Sequence, residues 1–481
     1  MNRKSVSYKY LGKNIGLLTV SNFGTKLLAF FLVPLYTAVL STEAYGIYDL
    51  INNTVLLLIP ILTINISEGA LRFCLDKNEN PKDIFSIAIQ FHFIGFICIL
   101  ALLGLNHVVL LFSTIDEYKG WFLLLYLSSS IYQLISNFAR GIDDVLDVSI
   151  AGALLSVASI ICNIVFLLVL KWGLTGYFLS FVVGNLFAVL FFVFRLSLWK
   201  YVAFSVKNRQ LQREMVAYSV PMILTTISWW INNASDRYVV IAFCGIAING
   251  IYSVGYKIPS ILNVFQSIFN QAWVLSSVKE FDPEDKDGFF SETYSTYNCL
   301  MVMVSSVIIF FTRFLAKIMY AKDFYGAWIY VPFLTIAIVF GAMSGYIGGI
   351  FSAVKNTKAF SLTVVIGAVV NVVLNIVMVN KIGAIGAALA TMVSYFVVWQ
   401  IRMLVAKKYV SLKISLKRDY VAYLILIIQS GLIICLSESI AIYIAMLILF
   451  VLLFLIYRNE LMRIWRKICG LIIKKDMRSD L

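Results

Sequence analysis

The side chains able to do chemistry in this sequence are few, and the most conspicuous are ionisable groups inside long apolar stretches. Lys26 falls near the middle of one such stretch, Asp236 and Arg237 sit side by side in the outer third of another, and Lys257 lies in the outer part of the next. A charge in a low-dielectric medium is costly unless it meets water or a partner. Lys26, Arg237 and Lys257 therefore read as a cationic surface for an anionic group such as phosphate or diphosphate. Arg offers paired donors and Lys a point charge. Asp236 either tunes Arg237 or carries a proton. The simpler alternative is that Asp236 and Arg237 pair locally while Lys257 extends its amine to the outer interface. Glu68 and Arg72, one helical turn apart, read as an interfacial ion pair.

Amides gather in the same stretches: Asn22, Asn52, Asn53, Asn232, Asn233, Gln266, Asn270 and Gln271. Of these, Asn22, Asn53, Asn233, Asn270 and Gln271 are the candidate polar lining of a hydrated cavity, with interhelical hydrogen bonding as the alternative. Trp229, Trp230 and Trp273 lie among them, placed to stack on sugar rings or simply to pack. No catalytic constellation is present. His92 and His107 have no partner spacing, and Walker-type and zincin motifs are missing. The seven Cys are scattered singly, with no metal-ligand spacing. The expectation is a protein without cofactor or metal that is not an enzyme, and whose energy comes from gradients or substrate flow.

The elements that must position these groups are membrane spans. Hydrophobic residues make up 61% of the chain and charged residues 13%, against about 25% charged in a soluble domain. About fourteen stretches are candidate spans, most of them long enough to cross a bilayer; among them are 14–40, 45–70, 214–243, 250–275 and a short final pair, 420–436 and 439–457. The net charge of +14 is dispersed in short tracts between spans, which argues for topology signals and against nucleic acid. With the N-terminus inside, about thirty basic residues fall in inner tracts and about six in outer ones. Both termini are then cytoplasmic. The mixed-charge tract Lys279 to Gly288 reads as a solvated connector with a turn at Asp282 and Pro283.

Two segments recur. Ala44 to Leu50 (AYGIYDL) matches Ile248 to Val254 (INGIYSV). Asn163-Ile164-Val165 ahead of Lys171, Gly173 and Gly176 matches Asn375-Ile376-Val377 ahead of Lys381, Gly383 and Gly386. The repeat spans six helices, an even number, so the halves have the same orientation about an axis along the membrane normal. The expected architecture is all-α and polytopic: a six-helix bundle over 1–200, a second over 201–410, an added helix pair over 411–460 and a basic cytoplasmic tail over 461–481. Such a pair of bundles implies a central cleft.

The segment Pro34 to Leu50 (PLYTAVLSTEAYGIYDL), Asp236-Arg237, the Gly-Ile-Tyr at 250–252 and the Gly-x-x-Gly turns at 173–176 and 383–386 resemble the polysaccharide biosynthesis flippases. These are the Wzx-like O-antigen exporters of the multidrug/oligosaccharidyl-lipid/polysaccharide superfamily. The resemblance implies a chain of the cytoplasmic membrane that flips undecaprenyl-diphosphate-linked oligosaccharide from the inner to the outer leaflet by alternating access. It implies a cationic cavity for the diphosphate, with Lys26 at a position where such cavities place a basic residue. Membrane lipids, a polysaccharide polymerase and glycosyltransferases are the implied partners. The added helix pair also resembles the lipid II flippase branch, which is the second reading. A cation-coupled multidrug antiporter of the same superfamily is the third.

Overall fold

The fold is taken from a computed structural model that describes residues 30–75, 79–203 and 208–466. Lys26, Asn22 and most of the first expected span lie outside the described residues. The chain forms two compact units. Among the described residues, the first draws on those up to Ile241 with Gly245–Ser253 and Ala321–Phe324, the second on Ala242–Cys244, Val254–Tyr320 and those from Tyr325 onward.

In the first unit the long helices are α1 (Thr42–Leu62), α2 (Ile66–Cys74), α3 (Pro81–Val109), α4 (Lys119–Gly141), α5 (Val145–Asn163), α6 (Gly173–Arg195) and most of α7 (Arg209–Cys244). Their starts follow local chemistry. The Ser41 hydroxyl accepts the Ala44 amide of α1, Asn80 accepts Lys82 N just ahead of α3, and Asn208 accepts Leu211 N of α7. Each fills an amide that the first helical turn leaves without a partner. The short helix α8 (Ile246–Gly255) also packs here through its residues up to Ser253. Phe85, Phe138, Phe192, Ala139 and Met215 form part of a buried core between α3, α4, α6 and α7.

The second unit holds α9 (Ser260–Lys279), α10 (Phe289–Phe310), α11 (Val331–Ala353), α12 (Thr357–Ile382), α13 (Ile385–Ala406), α14 (Leu416–Cys435) and α15 (Ile440–Ile456). Helix α11 is its axis: 83% of its apolar window is buried, against 17% for α5 in the first unit, whose apolar face is left for lipid. Small residues let neighbours close on α11. A Cβ on Gly349 would sit 2.4 Å from Trp273 Nε1, and that indole donates to the Tyr346 carbonyl at 2.7 Å.

Ten helices among the described residues are long and apolar enough to cross a membrane. The number is eleven if α15 and the helix Arg458–Arg466, bent by 67°, form one span. This is a multi-span membrane protein, and among the described residues the expected count of about fourteen is not reached. Besides the first span, the two missing ones are α7 and the segment expected at 250–275. Both carry too many polar groups for a lipid-facing helix. The second of them is also broken, into α8 and α9, and Pro259 stands at the break as the residue preceding α9. Proline lacks an amide proton and disfavours helix in the residue before it.

The repeat is visible in side-chain detail. Asn163 and Asn375 are both buried, and each donates its amide one turn back, to Ser159 O at 2.8 Å and Asn371 O at 2.9 Å. Gly173 and Gly383 both take positive φ, +55° and +69°, a conformation glycine adopts without steric cost. The first copy is two residues longer between its Asn and its Lys than the second. The excess falls where α5 widens into the π-helical turn Ile164–Val169, a geometry that takes up added residues within a helix.

The tract Lys279 to Gly288 is a largely exposed connector, as expected, except at Asp285. It does turn at Asp282, whose carboxylate accepts Glu284 N at 3.1 Å and Lys286 N at 2.8 Å. The two amides, Lys286 first, hold that carboxyl below the usual carboxylate range. Asp285 is buried, however, and caps α10 by accepting Phe290 N and Ser291 N, both at 2.9 Å. The tract is further tied down where Ser411 N donates to Pro283 O at 2.9 Å.

Candidate functional site

The charged site of the first unit forms where α1, α7 and α8 meet. It begins with a backbone contact that only glycine permits. A Cβ on Gly46 would lie 2.1 Å from Ile246 O, and a Cβ on Gly250 would lie 1.9 Å from Thr42 O. Each glycine faces the carbonyl one turn before the other, so α1 and α8 cross about a local two-fold axis. These are the two copies of the Gly-Ile-Tyr repeat. The match in sequence is therefore also a contact in space.

This crossing brings Asp49 of the first copy against Ser253, its counterpart in the second. The Ser253 hydroxyl donates to Asp49 Oδ2 at 2.7 Å, and Asn249 Nδ2 reaches the same oxygen at 3.4 Å. Arg237 of α7 completes the group. Its Nε lies 3.1 Å from Asp49 Oδ2, and its Nη1 lies 3.4 Å from Asp236 Oδ1 and donates to Asn233 O at 2.6 Å. Tyr252 donates its hydroxyl to Asp236 Oδ2 at 2.7 Å. The side chains of Asp49, Asp236 and Arg237 are 12%, 3% and 13% exposed. Two carboxylates thus share one guanidinium in a nearly closed environment, where unpaired charge would be heavily penalised.

The expected pairing of Asp236 with Arg237 is present. The third member, Asp49, was missed, although an acid within an apolar span is the same signal that marks Asp236. Arg237 is also not an open cation: its charge faces two acids. Lys257 lies in the second unit, half-buried at the break between α8 and α9. Asn53 donates to Asp49 O at 2.8 Å and accepts Trp230 Nε1 at 3.0 Å through its own carbonyl. Asn233 is exposed and donates to Trp229 O at 2.7 Å. Asn270 and Gln271 lie on α9 in the second unit. Asn270 packs on Gly345, and its Oδ1 is buried without a hydrogen-bond partner among the described residues.

Glu68 and Arg72 do not form the expected ion pair. Glu68 accepts Asn137 Nδ2 of α4 at 3.2 Å, while Arg72 is exposed. Of the two histidines, His92 is buried with Nε2 3.3 Å from Ser67 Oγ and Nδ1 2.9 Å from Ala88 O. His107 is exposed beside Asp116 at 2.9 Å. Among the described residues, no group of three or more His, Cys, Asp or Glu is arranged to hold a metal ion.

Comparison with known proteins agrees with this architecture. The fold is similar to that of a lipid II flippase, MurJ, in an inward closed conformation, with a TM-score of 0.69 and 16% identity over 93% of this chain and 99% of that one. It is similar to an inward-facing multidrug resistance MATE transporter of the MOP superfamily, with a TM-score of 0.65 and 13% identity over 81% of this chain and 94% of that one. It is also similar to a MOP superfamily transporter from Pyrococcus furiosus, with a TM-score of 0.57 and 14% identity over 83% and 97%. At these identities the likeness establishes the fold: an all-helical membrane protein of the MurJ and MATE type. Residues 11–274 match the polysaccharide biosynthesis protein family, and the chain belongs to that family. No curated protein matches the sequence.

Proposed function

We propose that this chain is a flippase of the cytoplasmic membrane that moves an undecaprenyl-diphosphate-linked oligosaccharide from the inner to the outer leaflet, by alternating access, for surface polysaccharide assembly. The observation that carries the reading is membership of the polysaccharide biosynthesis family in a chain with a flippase-like fold. The placement of polar groups supports it. Helix α7, which fails as a lipid-facing span, holds Asp236 and Arg237, and Lys257 stands at the break between α8 and α9. A path for a diphosphate and sugars needs such helices, since a hydrated passage is the place where their charges are tolerated.

In this reading Lys26 and Lys257 supply positive charge to the diphosphate. Arg237, held by Asp49 and Asp236, orders the α1–α7–α8 crossing, and Asp236 tunes it. Asn22, Asn53, Asn233, Asn270 and Gln271 offer hydrogen bonds to the passing substrate. Both termini are cytoplasmic, on the distribution of basic residues, and a polymerase and glycosyltransferases supply and consume the lipid-linked glycan. Lys26→Ala is expected to abolish surface polysaccharide in a complementation assay while leaving membrane levels normal. Unchanged polysaccharide would remove Lys26 from the site.

Two observations favour lipid II as the cargo instead: the pair α14–α15 and the 93% coverage against the lipid II flippase. Rescue of a strain lacking its lipid II flippase, without rescue of a polysaccharide flippase mutant, would decide for that cargo.

A further inference from the structure

The C-terminal end of the described chain carries a feature on which the proposed function does not draw. After α15 the chain bends by 67° at Tyr457 and continues as the helix Arg458–Arg466. A buried ion cluster fixes the bend. Arg418, at the start of α14, bridges Asp419 at 3.0 Å and Glu460, which lies one turn into the bent helix. The Arg418 guanidinium lies 4.8 Å over the Tyr457 ring, and the Tyr457 hydroxyl reaches Asp419 Oδ1 at 3.3 Å. Removing Arg418 would strand two buried carboxylates, so the helix is held across the direction of α15.

Glu460 is therefore the inward side of the bent helix. Its outward side combines two chemistries. Trp465 and Met462 are 69% and 48% exposed, and Arg458, Arg463 and Arg466 are exposed beside them. Arg463 lies 3.6 Å from Glu292, whereas Arg458 and Arg466 form no ion pair among the described residues. A helix lying across a spanning one, with exposed Trp and arginines, has the composition of an interfacial segment. Trp is favoured at headgroup depth, and Arg pairs with phosphate through two donors.

We propose that Arg458–Arg466 is an interfacial helix that binds anionic phospholipid headgroups. Arg458 and Arg466 contact the lipid phosphates, and Trp465 and Met462 enter the boundary between headgroups and acyl chains. The Arg418–Glu460 cluster acts as the clasp that presents this face. Phosphatidylglycerol is the lipid chemistry to which the charge commits it, and the proposal holds whatever cargo the protein carries.

The test is a titration of the purified full chain with phosphatidylglycerol and, separately, phosphatidylcholine, reading retained lipid by native mass spectrometry and the unfolding midpoint. The wild type should prefer phosphatidylglycerol, and added salt should reduce that preference. With each basic residue near an anionic surface worth about 1 kcal/mol, the double variant R458Q/R466Q should lose roughly tenfold or more of its phosphatidylglycerol affinity. Its unfolding midpoint in phosphatidylcholine should equal the wild type's, and R458K/R466K should retain the preference. An undiminished preference in R458Q/R466Q would overturn the proposal, as would equal losses in both lipids or a wild type that binds the two lipids alike.

Discussion

Arg237 is the residue on which the charge balance of the first unit turns. It faces Asp49 and Asp236 at 3.1 and 3.4 Å, so one guanidinium serves two nearly buried carboxylates. Arg237→Gln should therefore destabilise the protein by about 3 kcal/mol or more, the usual consequence of stranding a buried partner. Adding Asp49→Asn in the same chain should recover part of that loss. Thermal unfolding of the four proteins of this double-mutant cycle measures the coupling. A stable R237Q, or additive effects, would mean that the ion group contributes nothing. Exchanging the neighbours, as in D236R/R237D, is also expected to fail. The exchange preserves a local pair but removes the contact to Asp49, which a purely local ion pair would not need.

At the scale of elements, the crossing of α1 with α8 is set by Gly46 and Gly250. A methyl group at either position would fall within about 2 Å of a backbone carbonyl oxygen, and backbone cannot move aside as a flexible side chain can. Gly46→Ala and Gly250→Ala should each push the helices apart, weaken the Asp49–Ser253 hydrogen bond and lower the unfolding midpoint. Gly431→Ala on α14 is the matched control, since a Cβ there meets open space. That change should be neutral or stabilising by up to about 1 kcal/mol. If all three variants behaved alike, close packing would not be what glycine provides at the crossing. The repeat in sequence announced that these two segments are related. That they touch could not be read from it, because similarity carries no distance.

For the whole molecule, the apolar stretches define the spans, and the basic tracts between them predict an orientation. Cysteines introduced at Lys171 and Lys381 should react with an impermeant maleimide in intact cells. Cysteines at Lys286 and Lys408 should react only after permeabilisation. The reverse pattern would invert the topology and remove the case for cytoplasmic termini. Most of the helical architecture was legible in this way, since a bilayer requires long apolar helices with satisfied backbones. The misreadings have a common cause. Glu68 turns to Asn137 instead of Arg72, Asp285 in the expected connector is buried as a helix cap, and the segment at 250–275 breaks near Pro259. In each case a neighbour distant in sequence, or a local backbone limit, outweighed the pattern of charge and hydropathy.

By itself the sequence determined the class of protein, the internal repeat and the helices that are too polar for lipid, because composition and periodicity act locally against the bilayer. Only the tertiary structure decided which charges meet. Arg237 finds Asp49 across nearly two hundred residues, and Arg418 finds Glu460 across the bend that follows α15. Ion pairs depend on the rotation and approach of whole helices, which are set by long-range packing.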